Sequence, residues 1–305
     1  MYTKVLVPLD GSKLSESILP YVRSLAKALK IPVELLHAID PEVVSAFVNP
    51  SSDQYADVVE AERKRKGLEY LEPVGGSFPD PIAVNCSVAV GKPAEVIVEI
   101  AAADPATLVA MATHGRSGIQ RWLLGSVANK VLHTTRNPLF LVRATEKMES
   151  TGVAPLKRVI VPLDGSLLAE KALPHVVALA TKMDLEILLL QVYGLSASVL
   201  RASDGYVPHM DELLKRLREE AQQHLDQISQ RLAPEGFLRV FTMTLEGEAA
   251  GHIIDIARKS PDSLVAMCTH GRSGVARLVL GSVTDRVIRH CGDPVLVIRA
   301  SSESK

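Results

Sequence analysis

The chain has 305 residues, 47% of them apolar, which suits about two domains with sizeable cores and excludes a largely disordered polypeptide. Thirty-four Lys and Arg face 35 Asp and Glu, divided 16 against 17 up to residue 150 and 18 against 18 beyond it. Neither half carries the basic excess that draws a phosphate backbone or a membrane surface, so nucleic acid and membranes are not expected partners.

Met1-Tyr-Thr-Lys runs straight into an apolar stretch, Val5–Leu9, with no apolar leader and no small-residue cleavage site, so a cytoplasmic protein is expected. That stretch reads as the first strand. Lys13–Leu29 follows as a helix, with Leu14, Ile18, Val22, Leu25 and Leu29 spaced by threes and fours. Val33–Ile39 is the second strand, and Asp40–Ser52, with two prolines, resembles a lid. A charged helix spans Asp53–Glu72; its Arg63-Lys-Arg-Lys66 run sits beside Glu60, Glu62 and Glu69 and reads as a solvated face. Then come the strand Ile82–Val90, the helix Pro93–Ala103, the strand Thr107–Ala112, the helix Ser126–Thr134 and the strand Leu139–Arg143.

Beyond a polar segment, Thr145–Leu156, the order begins again, with Leu185–Val192 as a near-continuous apolar strand, Gly194–His209 as a second lid-like segment and a charged helix over Met210–Leu232. Lys4-Val-Leu-Val-Pro-Leu-Asp10-Gly-Ser12 returns as Arg158-Val-Ile-Val-Pro-Leu-Asp164-Gly-Ser166. Residues 109–144 and 265–300 align without a gap, with 18 identities in 36 positions. A repeat this long is a whole domain rather than a solenoid unit. The expected organisation is domain 1 over 1–144, a linker over 145–156, domain 2 over 157–300 and a tail over 301–305. Alternating strands and helices force parallel pairing through right-handed crossovers. The expected fold class is therefore α/β, two tandem doubly wound domains, each a five-stranded parallel sheet. No apolar run nears the roughly 20 residues of a bilayer span. Cys86, Cys268 and Cys291 form no C-x-x-C pair, which suits a reducing compartment.

In doubly wound sheets ligands bind beyond the carboxyl ends of the strands, at the point where strand order reverses. The loop after the fourth strand runs Ala112-Thr-His-Gly115, nine residues, then Gly125-Ser126 at a helix start; its copy runs Cys268-Thr-His-Gly271, nine residues, then Gly281-Ser282. A helix start offers unpaired N–H groups to an anion, and glycine lets backbone approach an oxygen closely. The same glycines serve equally as turn and cap residues. His114, Arg116 and Arg121, with His270, Arg272 and Arg277, add positive charge or stand as solvated loop residues. After the first strand, Asp10 and Asp164 are placed to accept a ribose hydroxyl or to hold Mg²⁺, and Ser12 caps the following helix.

These motifs together resemble the universal stress protein family, in a tandem form that covers nearly everything outside linker and tail. The resemblance implies an adenine nucleotide alpha hydrolase-like fold that binds ATP or another adenine nucleotide, often dimerising through the last strand. It places Pro8, Asp10, Ala38, Met111, Ala112, Gly115, Gly125, Ser126 and Val127 around the nucleotide in domain 1. In domain 2 it places Pro162, Asp164, Val192, Met267, Cys268, Gly271, Gly281, Ser282 and Val283 there. The base packs by Ala38 and Met111, or by Val192 and Met267. One departure is shared: the motif's first glycine is Ala112 in one copy and Cys268 in the other. A side chain there costs little at negative φ and about 1 kcal/mol or more at positive φ. Cys268 reads either as a small buried strand-end residue or as a redox-sensitive thiol.

There is no G-x-x-x-x-G-K-[ST], no G-x-G-x-x-G after the first strand, no G-x-S-x-G elbow and no metal-type His/Cys spacing. No residue stands out as a catalytic base, so a stress-response nucleotide binder with a regulatory role is expected, at most a slow ATPase. The alternatives are a nucleotide-free interaction scaffold and a slow hydrolase using His114 and His270. The duplication also predicts that the two domains pair within the chain, as single domains would in a homodimer.

Overall fold

The computed structural model describes residues 1–42, 54–113, 124–143, 152–195, 209–232, 239–269 and 280–299. It divides into two compact units, Met1–Pro155 and Leu156–Lys305.

Unit 1 runs β1 (Lys4–Pro8), α1 (Lys13–Glu16), α2 (Leu19–Leu29), β2 (Val33–Ile39), α3 (Gln54–Gly76), β3 (Val84–Val90), α4 (Pro93–Ala102), β4 (Thr107–Ala112), α5 (Ser126–Thr134) and β5 (Leu139–Val142). Its strands are all parallel, in the order β3-β2-β1-β4-β5, with Val5 opposite Val33 and Leu108, and Val109 opposite Leu139. Val5, Leu6 and Val7 are fully buried, and every residue of β4 is buried. That explains strands apolar along their whole length rather than at alternate residues: helices cover both faces of a parallel sheet. The chain winds outward from β1 to β3, then crosses back to β4. The carboxyl ends of β1 and β4 therefore part at the reversal, and a cleft opens between them.

The helix expected over Lys13–Leu29 is two helices. Pro20 lies in the first turn of α2 and has no N–H for the Glu16 carbonyl, so α1 stops and the chain turns through Ser17 and Ile18 before restarting. Lys30 ends α2 in the left-handed region, φ 56°, its N–H bonded to the Ala26 carbonyl. Part of the segment read as a linker docks on this helix: Ala154 N–H donates to the Pro20 carbonyl at 3.1 Å and Ser24 Oγ to the Ala154 carbonyl at 2.6 Å. Arg23 is buried because its guanidinium donates to Gly152 O and Ser77 Oγ and lies over the Phe78 ring.

Unit 2 repeats the plan with β6 (Arg158–Leu163), α6 (Leu167–Glu170), α7 (Leu173–Met183), β7 (Glu186–Tyr193), α8 (Met210–Leu232), β8 (Val240–Glu246), α9 (Ala249–Lys259), β9 (Ser263–Cys268), α10 (Ser282–His290) and β10 (Val295–Ile298). Its parallel order is β8-β7-β6-β9-β10. Pro174 breaks α6 from α7 as Pro20 breaks α1 from α2. Helix α8 is charged on most sides yet buries Ala221, Leu225, Ile228 and Leu232, a stripe spaced by threes and fours that packs on β7 and β8. Residues 43–53 and 196–208, most of the two lid-like segments, lie outside the described residues, as does the tail. Among the described residues, no helix is long and apolar enough to cross a membrane.

Candidate functional site

In each unit the turn after the first strand is built by its aspartate. Asp10 Oδ1 accepts from Ser12 N–H at 2.9 Å and Ser12 Oγ at 2.6 Å; Asp164 Oδ1 accepts from Ser166 N–H at 3.0 Å and Ser166 Oγ at 2.6 Å. Each serine hydroxyl then caps its short helix, accepting from Ser15 N–H at 3.1 Å or Ala169 N–H at 3.2 Å. Gly11 and Gly165 sit at φ 83° and 81°, where a side chain would be strained. The turn thus holds a carboxylate fixed at the strand's carboxyl end.

The helix start after the fourth strand differs, because the N-cap residues Gly125 and Gly281 have no side chain with which to cap α5 or α10. Gly125 N–H donates to the Thr113 carbonyl and Gly281 N–H to the Thr269 carbonyl, both at 2.7 Å. These bonds clamp the helix start onto the strand end and leave the amides of Ser126 and Val127, or Ser282 and Val283, in the first turn, where the positive end of the helix dipole lies. A Cβ on Gly281 would stand 2.8 Å from the Thr269 carbonyl oxygen. The glycine is small for that contact, at an ordinary φ of −63°. Its own amide is spent on the clamp.

Both features open into one hollow in each unit. In unit 1 a cavity of about 230 Å³ is lined by Pro8, Asp10, Ala38, Met111, Ala112, Gly125, Ser126 and Val127. In unit 2 a cavity of about 280 Å³ is lined by Pro162, Asp164, Val192, Met267, Cys268, Gly281, Ser282 and Val283. Gly115 and Gly271, with the flanking histidines and arginines of the same loops, lie outside the described residues. The walls are apolar, with strand ends on one side and a helix start on the other. Asp10 or Asp164 is the single carboxylate among the described lining residues, and its Oδ1 already accepts two hydrogen bonds. Mg²⁺ is commonly held by one or two carboxylates plus substrate phosphates. These residues fit such an ion only if a ligand's phosphates supply most of its oxygens.

The sequence reading did not single out one wall: Pro93 and Ile97 of α4 in unit 1, Ala249 and Ile253 of α9 in unit 2. Their signal was a fourfold spacing at the start of an apolar helix, which core residues share. Leu9, Ser15, Leu36, Thr113 and Ala128 complete the described lining in unit 1. The copies differ at Ser15, Ala38, Pro93, Ala112 and Ala128, which are Ala169, Val192, Ala249, Cys268 and Thr284 in unit 2. Cys268 is buried, its thiol directed to the Ala169 carbonyl at 3.6 Å, and burial pushes it up to about 12. It therefore stays a neutral thiol at physiological pH, and the small-buried-residue reading accounts for it.

The sequence pattern of the Universal stress protein family matches residues 1–143 and again 155–299. Universal stress protein MJ0531 of Methanocaldococcus jannaschii is 34% identical over 143 residues, 47% of this chain and 82% of that protein. A universal stress protein of Mycolicibacterium smegmatis is 25% identical over 304 residues, 97% of this chain and 96% of its own length. Among solved structures, a universal stress protein from Archaeoglobus fulgidus superimposes with a TM-score of 0.71 at 21% identity, covering 99% of this chain and all of that one, a likeness of fold.

Proposed function

The chain belongs to the universal stress protein family in both halves, and from that premise we propose that each half binds an adenine nucleotide, ATP foremost, as the regulatory ligand of a stress-response protein. The observation that carries this reading is the meeting, in both cavities, of apolar walls, one fixed carboxylate and a helix start whose N-cap residue is glycine. A flat base suits the slot between Ala38 and Met111, or Val192 and Met267. A ribose hydroxyl donates to Asp10 or Asp164. The phosphates lie on the first-turn amides at Ser126 and Ser282, where the dipole favours negative charge. Cavities of about 230 and 280 Å³ fall just below the roughly 300–1,000 Å³ usual for ligand pockets. They take base and sugar, so the phosphates lie at the mouth, where Mg²⁺ would accompany them.

The described lining has one carboxylate and no histidine, lysine or second acid, so it offers no pair to activate and protonate the groups of a hydrolysis. The output we propose for such a site is binding that favours the folded units; His114 and His270, the candidates for a slow hydrolysis, lie outside the described residues.

The test is to fill each slot separately. ATP with Mg²⁺ is titrated calorimetrically into the wild type, Ala38→Phe, Val192→Phe and the double variant, each checked for folding by circular dichroism. Two sites are expected in the wild type, one in each single variant and none in the double. A stoichiometry untouched by both substitutions would refute the reading.

A further inference from the structure

The gap-free repeat that aligns 109–144 with 265–300 sets Asn137 opposite Asp293. In unit 1, Asn137 is buried at the foot of the sheet, away from the cavity. Its Nδ2 donates to three carbonyls at the end of α4 and the turn after it: Ala101 at 3.0 Å, Asp104 at 2.9 Å and Thr107 at 3.2 Å. The amide thus adds a side-chain donor to a helix end and turn whose Ala101 and Asp104 carbonyls also accept from the backbone N–H groups of Asp104 and Thr107.

The backbone around Asp293 is held in the same way. Thr135 N–H meets Val131 O at 2.9 Å as Cys291 N–H meets Val287 O at 2.7 Å; Val109 N–H meets Pro138 O at 3.0 Å as Val265 N–H meets Pro294 O at 2.9 Å. The register of β9 with β10 repeats that of β4 with β5. A carboxyl therefore takes the amide's place in the repeat, and its Oδ2 accepts from the Cys291 thiol at 3.9 Å. A carboxylate has no hydrogen to give; a carboxylic acid has one. The turn itself differs here, with Asp262 in the left-handed region at φ 61°.

We infer that Asp293 is a proton-operated latch confined to unit 2: protonated, it donates to a carbonyl at the end of α9 and closes the foot of the sheet; ionised, it repels those oxygens and loosens it. Its surroundings favour the neutral form. Burial, with Asp262 adding repulsion, pushes the Asp293 carboxyl up to about 6. Asp262 is itself held by Lys157 at 2.7 Å. From α9, Arg258 leans to Asp255 at 3.8 Å. From α10, Arg289 is held by Asp285 at 2.9 Å, and His290 precedes Cys291 in the chain. The Cys291 thiol, 3.9 Å from Asp293 Oδ2, is pushed up to about 11 by burial and stays neutral. Because the folded value lies above the unfolded one, the stability Asp293 contributes is full at low pH and lost as pH rises through about 6. The latch operates whether or not a nucleotide fills the cavity.

The test is hydrogen exchange by mass spectrometry on the full chain at pH 5 and pH 8, corrected for intrinsic exchange. For peptides spanning 257–265 and 286–295, opening is expected to rise about tenfold from the lower to the higher pH, while the matching unit 1 peptides over 131–139 stay level. Asp293→Asn supplies the unit 1 donor and is expected to abolish the rise, holding the segment at pH 8 as tightly as the wild type at pH 5. Asn137→Asp is expected to create the rise in unit 1. A level wild-type response, or a rise that survives Asp293→Asn, overturns the inference; these two comparisons decide it even where Asn137→Asp leaves unit 1 unfolded.

Discussion

Gly281 shows how one atom decides a site. Its missing Cβ lets the Thr269 carbonyl come in against the helix start, and the bond so formed fixes where the next amides point. Gly281→Ala forces a contact of 2.8 Å onto backbone, so it is expected to lower stability by about 1–3 kcal/mol, the usual cost of overpacking, measured by urea unfolding. A change below a few tenths would show that the strand end gives way freely. The glycine was legible in the sequence as a motif member, but its contact was not: closeness to a carbonyl twelve residues away is a property of the folded turn. The Ala112 and Cys268 departures were equally legible. Both are buried at the ends of their strands, and Cys268 is inert as a thiol.

At the scale of elements, the serine caps and the glycine helix starts divide the work. Ser12 and Ser166 close α1 and α6 while steadying Asp10 and Asp164, whereas the N-cap residues of α5 and α10 are glycines with no side chain. Ser12→Ala is expected to cost about 1 kcal/mol in urea unfolding, and Ser12→Thr a small part of that, since threonine still accepts from the helix amide. Equal losses in the two variants would show that the hydroxyl is not what holds the turn. Strands and most helices could be read from periodicity, because burial on both faces writes continuous apolar runs. The break between α1 and α2 could not, since Leu14, Ile18 and Val22 keep helical spacing straight across it. Helix α4 was legible, yet Ile97 as a cavity wall was not; a residue under a hollow and a residue under a neighbour carry the same apolar side chain.

Across the whole molecule, duplication explains why two cavities of similar lining exist, and drift between the copies explains why they are not the same. Ser15 against Ala169, Ala38 against Val192 and Asn137 against Asp293 change a hydroxyl, a wall and a donor while leaving strand order and register alone. The repeat itself stood in the sequence; the consequence of each exchange appears only when its neighbours are known. The central claim is that the first-turn amides at Ser126 and Ser282 hold the phosphates of an adenine nucleotide above two apolar slots. A crystal structure of the full chain soaked with ATP and Mg²⁺ tests it most directly. The account predicts a base beside Met111 and another beside Met267, with phosphate oxygens within hydrogen-bonding distance of the backbone N–H groups of residues 126–127 and 282–283. Empty cavities at saturating ATP, or nucleotide bound elsewhere, would contradict it.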